Sequence, residues 1–183
     1  MLTVRDAVAG DATAIAAIYA HHVLHGTATF DVDPPDAGFW RDKIAHLRAR
    51  GWPFVVADEG TGAIGYAYAA QFRDRPAYRE ACEDSIYIAP DAVGRGVGKA
   101  LLAALLEGAA AAGFREMIAV IGGAEPASVA VHARLGFVEA GRLRGVGIKF
   151  GRRLDTLYMQ RSLLNDVFVN SRKIENYRRD GET

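Results

Sequence analysis

The stretch Ser85 to Leu102, SIYIAPDAVGRGVGKALL, constrains the fold more than any other part of the chain. A β-like run, Ser85–Ala89, stops at Pro90, and a loop with glycines at alternate positions (Gly94, Gly96, Gly98) follows. The chain then enters an apolar-periodic helix marked by Leu101, Leu102, Leu105, Leu106 and Ala109. A strand that feeds a helix through a glycine loop gathers free first-turn N–H groups and the positive end of the helix dipole at one point. Small residues let an anion approach that backbone, so the expected ligand of such a turn is a phosphate. Two familiar phosphate motifs fail on spacing. For G-x-x-x-x-G-K-[ST], Val93 stands where the first glycine belongs and Ala100 where the hydroxyl belongs. For G-x-G-x-x-G, counting from Gly94 and Gly96 arrives at Lys99.

The rest of the chain sets the frame for that loop. With 183 residues, half of them hydrophobic, one domain with a sizeable core is expected. Lys+Arg and Asp+Glu both number 22, and this balance argues against a nucleic-acid binder. No run approaches the roughly 18 apolar residues of a membrane span, and MLTVRDAVAGDATA lacks a signal-peptide layout. The single cysteine, Cys82, excludes an internal disulfide and a cysteine metal cluster, so a cytoplasmic setting is expected. His21, His22, His25 and His46 lack the partner spacing of a zinc site, and no metal is expected.

Periodicity places a short strand at Leu2–Val4, then a helix opening near Asp11, its expected N-cap, with Ile15, Ile18, Tyr19 and His22 at helical spacing. GTATFDVDPP (26–35) reads as a loop, and a second helix is expected from about Asp36 to Arg50. Strands are expected at Phe54–Ala57 and Ala63–Ala70 around DEGTG, at Met117–Ile121, Phe137–Leu143 and Leu154–Gln160. Gln71 to Cys82 reads as irregular, and Pro126–Leu135 as a helix with proline in its first turn. The order βααβββαβαββ is an α+β domain over residues 1–163, followed by a polar tail over 164–183.

Several blocks in order, TATFDVDPP (27–35), RDRPAYREACEDSIYI (73–88), AVIGG (119–123), SVAVHARLGF (128–137) and GVGIKFGRRLD (145–155), resemble the GCN5-related N-acetyltransferase superfamily. They are most similar to its phosphinothricin/methionine sulfoximine acetyltransferase branch. The resemblance covers roughly residues 2 to 163. The superfamily signature [QR]-x-x-G-x-[GA] is matched by Gly96-x-Gly98, with Val93 in place of Gln or Arg. It implies that acetyl-CoA is the co-substrate, with its pyrophosphate held around Gly94, Arg95, Gly96, Val97, Gly98 and Lys99. It further implies a mixed central sheet with a splayed strand pair, in which the backbone of Ile86, Tyr87 and Ile88 contacts the pantetheine arm. Glu125 and Arg134 are further cofactor contacts on this alignment, and a homodimer paired through the C-terminal region is expected.

Acetyl transfer to an amine requires removal of a proton from the amine, polarisation of the thioester carbonyl and stabilisation of the departing thiolate. Glu83, at the head of the Ser85 strand, is the candidate base; a solvated carboxylate at a strand end is the competing reading. Strand alternation puts its neighbour Asp84 on the opposite face. The resemblance places at His132 the group that protonates the thiolate, while a lone histidine in a helix also reads as a satisfied core residue. Arg75 and Tyr78, with Phe30 as an aromatic wall, are the residues the resemblance assigns to a small acidic amine such as phosphinothricin or methionine sulfoximine. The chain departs from the pattern where Glu125 replaces a usual asparagine and Arg153 a usual tryptophan. A peptide N-terminal acetyltransferase and a non-catalytic acyl-CoA-binding module are the alternatives.

Overall fold

The computed structural model describes residues 1–164; the tail from Asn165 onward, and with it nearly all of the expected 164–183 segment, lies outside the described residues. Seven strands form one mixed sheet: β1 (Thr3–Asp6), β2 (Phe54–Asp58), β3 (Ala63–Gln71), β4 (Ala81–Ile88), β5 (Glu116–Gly122), β6 (Val138–Lys149) and β7 (Arg152–Ser162), in the order β1-β2-β3-β4-β5-β7-β6. Four α-helices cover it: α1 (Ala12–His25), α2 (Ala37–Ala49), α3 (Val97–Ala111) and α4 (Pro126–Arg134). The expected element order is found in full.

Two apolar layers sandwich the sheet. Ile15, Ile18, Tyr19 and Val23 of α1 and Trp40, Ile44 and Leu47 of α2 recur at three- and four-residue spacing, giving each helix one apolar stripe. Both stripes pack on Phe54, Val56 and Tyr66 of the sheet. Leu101, Leu102, Leu105 and Ala109 of α3 bury against the opposite face, on Val55, Ala67, Ala69, Cys82, Met117 and Ala119. Strand alternation therefore sends Cys82 and Asp84 toward α3 and α4, and Glu83 and Tyr87 toward α1 and α2.

Two boundaries depart from the sequence expectation by more than two residues. β4 begins at Ala81, inside a segment read as irregular, because Ala81–Asp84 find a parallel partner in Glu116–Ala119. β6 runs on through GVGIK to Lys149 across a register break between Leu143 and Gly147, which the short apolar run did not signal. Asp11 stands at the N-cap of α1 as expected, but its carboxylate makes no bond into the helix: it closes the preceding 3-10 turn, accepting from Val8 N at 2.9 Å, and holds Arg5 at 2.8 Å.

The feature that positions the site is a fork. The β4–β5 pairing stops at Asp84↔Ala119, while β5 goes on pairing with β7 as far as Gly122↔Thr156. On its other side β4 stays paired with β3 to Gly65↔Ile88. Bonds from Phe72 N to Ala81 O and from Ala89 N to Ile64 O bracket that ladder. The alternation of an antiparallel pair then fixes the rest: odd-numbered residues of β4 exchange bonds with β3, and even-numbered ones aim N–H and C=O at the β5 side. Ile86 and Ile88 thus turn their backbone groups into the fork.

Candidate active site

The glycine loop arrives at the open end of the fork. Gly94 and Gly96 adopt φ of 81° and 82°, a left-handed conformation that other residues reach only with strain. Gly96 is the N-cap of α3, whose first-turn N–H groups, from Val97 through Lys99, have no carbonyl partner within the helix. Gly98 lets the helix meet β4: a Cβ there would lie 2.9 Å from Ile88 Cδ1 and 3.8 Å from Val131 of α4. Val93 is exposed, so the loop's turn is made by backbone and does not call on a side chain at that position. Lys99 is exposed at the helix start, whereas Arg95 is engaged elsewhere, its guanidinium on Glu59 at 2.6 Å. Tyr87 turns its backbone to β3, leaving Ile86 and Ile88 as the two residues of that trio with groups facing the fork.

On the α1/α2 face, Glu83 stands opposite Ala70 and beside the mouth of the fork. Its side chain is half-buried, and Arg73 Nη1 lies 3.6 Å from its Oε2. Burial raises the Glu83 pKa above the ordinary glutamate value and the Asp84 charge adds to the rise, while Arg73 and Lys43 pull against it. A groove of about 620 Å³ reaches Ala70, the cross-strand partner of Glu83, and is lined also by Phe39, Lys43, His46, Trp52, Gln71 and Asp74; Glu83 itself does not line it. Lys43 lies 4.5 Å over the ring of Tyr68.

Of the expected substrate contacts, Tyr78 sits on a 3-10 turn (Pro76–Tyr78) and meets Phe72 edge to face at 5.8 Å. Arg75 caps that turn and is exposed. Phe30 lies on the 26–36 loop with its ring against Gly147 of β6, where an added Cβ would collide with the ring. That loop is held tightly. Thr27 and Ala28 carbonyls would each be 3.0 Å from a Cβ at Gly122, so any side chain there must push the loop's backbone away. Tyr19 Oη donates to Asp31 at 2.7 Å and contacts Thr29 Oγ1 at 2.8 Å; Lys149 Nζ, buried, donates to Thr29 O at 2.8 Å. Burial holds the Lys149 pKa below the usual lysine value.

The α3/α4 face carries the other candidate. His132 is 1% exposed. Its Nδ1 lies 2.7 Å from Ser128 O and its Nε2 3.0 Å from Asp84 Oδ2, with Phe137 edge-on at 4.9 Å. Burial works against the imidazolium; the Asp84 hydrogen bond and charge outweigh it, so the His132 pKa lies above the ordinary histidine value. The site thus has two sides. Glu83 and His132 flank the fork from opposite faces of the sheet and do not touch each other.

Glu125 caps α4, its carboxylate accepting from Ser128 N at 2.9 Å, which is local work for a residue expected to contact the cofactor. Arg134, in the last turn of α4, is exposed. Sequence reasoning passed over His22. It lies on the buried stripe of α1, four residues after Ile18, and its Nε2 donates to Ile88 O at 2.8 Å, inside the fork. Burial lowers its pKa, which favours the neutral ring. Cys82 is buried and its thiol is pushed up to about 12 by burial and the Asp84 charge, which leaves it inert as a nucleophile.

Residues 15–137 match the family model described as Acetyltransferase (GNAT) family. The chain is 48% identical to a phosphinothricin N-acetyltransferase of Alcaligenes faecalis over 162 residues, spanning 88% of this chain and 82% of that one. It is 39% identical to an L-methionine sulfoximine/L-methionine sulfone acetyltransferase of Pseudomonas paraeruginosa, over 88% of this chain and 94% of the relative. Among solved structures, a phosphinothricin acetyltransferase of the GNAT superfamily from Sinorhizobium meliloti, in complex with acetyl-CoA, superposes with a TM-score of 0.85 at 50% identity, covering 88% of each chain.

Proposed function

The chain belongs to the acetyltransferase (GNAT) family, and from that premise we propose that it moves the acetyl group of acetyl-CoA to the primary amine of a small amino-acid-like acid of the phosphinothricin or methionine sulfoximine type. The observation that carries this reading is the fork, with the glycine-loop helix start at its open end and the half-buried Glu83 at its mouth.

The residues present fit acetyl-CoA. Ile86 and Ile88 offer strand-like backbone donors and acceptors to an extended chain, and Gly94 to Lys99 offer N–H groups to a pyrophosphate at a helix start. Acetyl-CoA, when bound, supplies an acyl carbon activated by a good leaving group. Glu83 takes the proton from the amine, directly or through one water; its raised pKa brings it closer to the working range of a base. Arg73 keeps enough positive charge beside it for the carboxylate form to persist. Backbone N–H groups of β4 at the fork polarise the acyl oxygen. His132 supplies the proton for the thiolate. Phe30, Arg75 and Tyr78 are assigned to the amine substrate in this reading, with Arg75, exposed at its 3-10 turn, matched to a carboxylate or phosphinate.

The catalytic unit is assigned to residues 1–163. A homodimer belongs to the same proposal. Leu143, Val146, Ile148 and Phe150 lie exposed along and just beyond β6, an edge strand, and suit burial against a second copy. Among the described residues no helix is long and apolar enough to cross a membrane. The single reduced cysteine fits a cytoplasmic setting. The small-substrate reading is preferred over a peptide substrate because relatives at 48% and 39% identity are named for phosphinothricin and for L-methionine sulfoximine and sulfone.

Thiol release from acetyl-CoA, followed with phosphinothricin, methionine sulfoximine, methionine sulfone and an N-terminal peptide as acceptors, tests the reading. Turnover confined to the small acids is expected. Turnover only with the peptide, or cofactor binding with no acceptor consumed, overturns it.

A further inference from the structure

The contacts of the Asp84–His132 pair require one proton more than a neutral imidazole and a carboxylate carry together. Ser128 O is a carbonyl and only accepts, so the 2.7 Å contact fixes a proton on Nδ1 of His132. The 3.0 Å contact between Nε2 and Asp84 Oδ2 then needs a second proton, because a bare ring nitrogen and a carboxylate oxygen are both acceptors. The pair is therefore imidazolium with carboxylate, or imidazole with carboxylic acid. Either way a mobile proton sits in a contact where both side chains are almost wholly removed from water.

Its place in the fold is as telling as its composition. Asp84 is the last β4 residue paired with β5, the one at which the fork opens. Its second oxygen, Oδ1, is buried with no hydrogen-bond partner, a costly arrangement that calls for an explanation. The remaining charges on the packed elements do not compete. Lys99 and Glu107 of α3 are exposed. Arg161 of β7 spends its guanidinium on Leu135 O, the C-cap of α4, and Arg134 of the same last turn is exposed. Glu125 is occupied by Ser128 N, Cys82 beside Asp84 is a protonated thiol, and Glu83 lies on the other face of the sheet.

We propose that Asp84 is a positioning residue for the acetyl transfer proposed above: it fixes the ring of His132 and keeps its Nε2 protonated at the crotch of the fork, and the proton the two share is the one the departing sulfur draws out of that contact. The inference rests on that acetyl-transfer reading. In the step, the amine nitrogen bonds to the acyl carbon and the carbon–sulfur bond breaks. The amine proton goes to Glu83, and the sulfur takes the Nε2 proton of His132. This leaves neutral His132, its Nδ1–H still on Ser128 O, facing the Asp84 carboxylate. Two acceptors then face each other in a dry contact, which favours uptake of a fresh proton before the next turnover. An acid whose pKa is raised toward that of a thiol stays loaded at neutral pH and still matches its acceptor.

Two measurements decide it. The first is the imidazole titration of His132, followed by NMR in the wild-type protein and in Asp84→Asn. The wild-type midpoint should lie above the ordinary histidine value and fall in Asp84→Asn, with the Asp84→Glu variant recovering part of the difference. The second is the pH profile of kcat in the same proteins. Its basic limb should move down with the NMR midpoint, so that activity at pH 8 relative to activity at pH 6 drops about tenfold for each whole pH step the limb moves, with the KM for acetyl-CoA little changed.

A merely structural Asp84 would lower activity at all pH values alike and leave the limb in place, and that result overturns the proposal. So does a wild-type midpoint that is not raised, a readout that needs no variant to fold. If no acceptor is turned over by the wild type, the acetyl-transfer reading itself has failed. The two failures are told apart because the NMR coupling between Asp84 and His132 is measured without turnover.

Discussion

At the scale of single residues, Glu83 carries the sharpest claim. A base must be close to solvent-borne protons yet dry enough to hold them, and Glu83 is half-buried with one guanidinium at 3.6 Å. Replacing it with glutamine keeps shape and removes basicity. Glu83→Gln should lower kcat by about 100-fold or more with the KM for acetyl-CoA almost unchanged, as read by thiol release. A kcat within a factor of about two of wild type would remove Glu83 from the role. The sign of the pH dependence follows from the same geometry. The base must be ionised, so kcat/KM rises with pH through the Glu83 pKa, which lies above the ordinary value of about 4.3. Arg73→Ala removes an opposing charge, and the acid limb should move to still higher pH; a limb that moves down would show that Arg73 does not act on Glu83 electrostatically. Glu83 could be picked out of the chain because it adjoins the strand that enters the glycine loop. The bond between Asp84 and His132 could not. The two lie 48 positions apart, and alternation reveals only that Asp84 faces away from Glu83, not which helix waits on that side.

At the scale of elements, the helices were readable because each has one apolar stripe to bury, and α2 and α4 fall within a residue or so of expectation. The strands were readable in their existence but not in their ends. Ala81 and Cys82 look like loop because their pairing partner is Glu116–Met117, far along the chain, and a strand ends where its neighbour ends. The 26–36 loop reads correctly as a loop, yet its attachment to β5 is invisible until Gly122 is seen against the Thr27 and Ala28 carbonyls. Gly122→Ala tests that attachment. The added methyl meets backbone oxygens on both neighbours, which cannot swing aside as a side chain would. A loss of about 1–3 kcal/mol in chemical denaturation is expected, together with a higher KM for the amine as Phe30 shifts. An alanine variant of unchanged stability and KM would show that the loop moves freely from β5.

At the scale of the whole molecule, the proposed homodimer rests on the apolar side chains that β6 leaves exposed. Light scattering at micromolar concentration should give a dimer mass, and Ile148→Glu should shift it to the monomer. A wild-type monomer would end that assignment. The sheet itself has a further property. The fork leaves β1–β4 and β5–β7 joined edge to edge by only four residue pairs, Ala81↔Glu116 to Asp84↔Ala119, with α3 and α4 bracing one face. A sheet jointed in this way is two plates hinged along a short seam. An extended ligand bonded to Ile86 and Ile88 would span the open side of the seam as a rivet does. Acetyl-CoA at 100 times its Kd should then add about 2.7 kcal/mol to stability, and the Ile86 and Ile88 amides should exchange with deuterium more slowly. Exchange at those two amides that is indifferent to acetyl-CoA would show that the plates are not joined there. Protection that also spreads to β7, on the far side of the seam, would mean that the molecule's resistance to unfolding is borne partly by its own reagent, and is weakest in the moments between one turnover and the next.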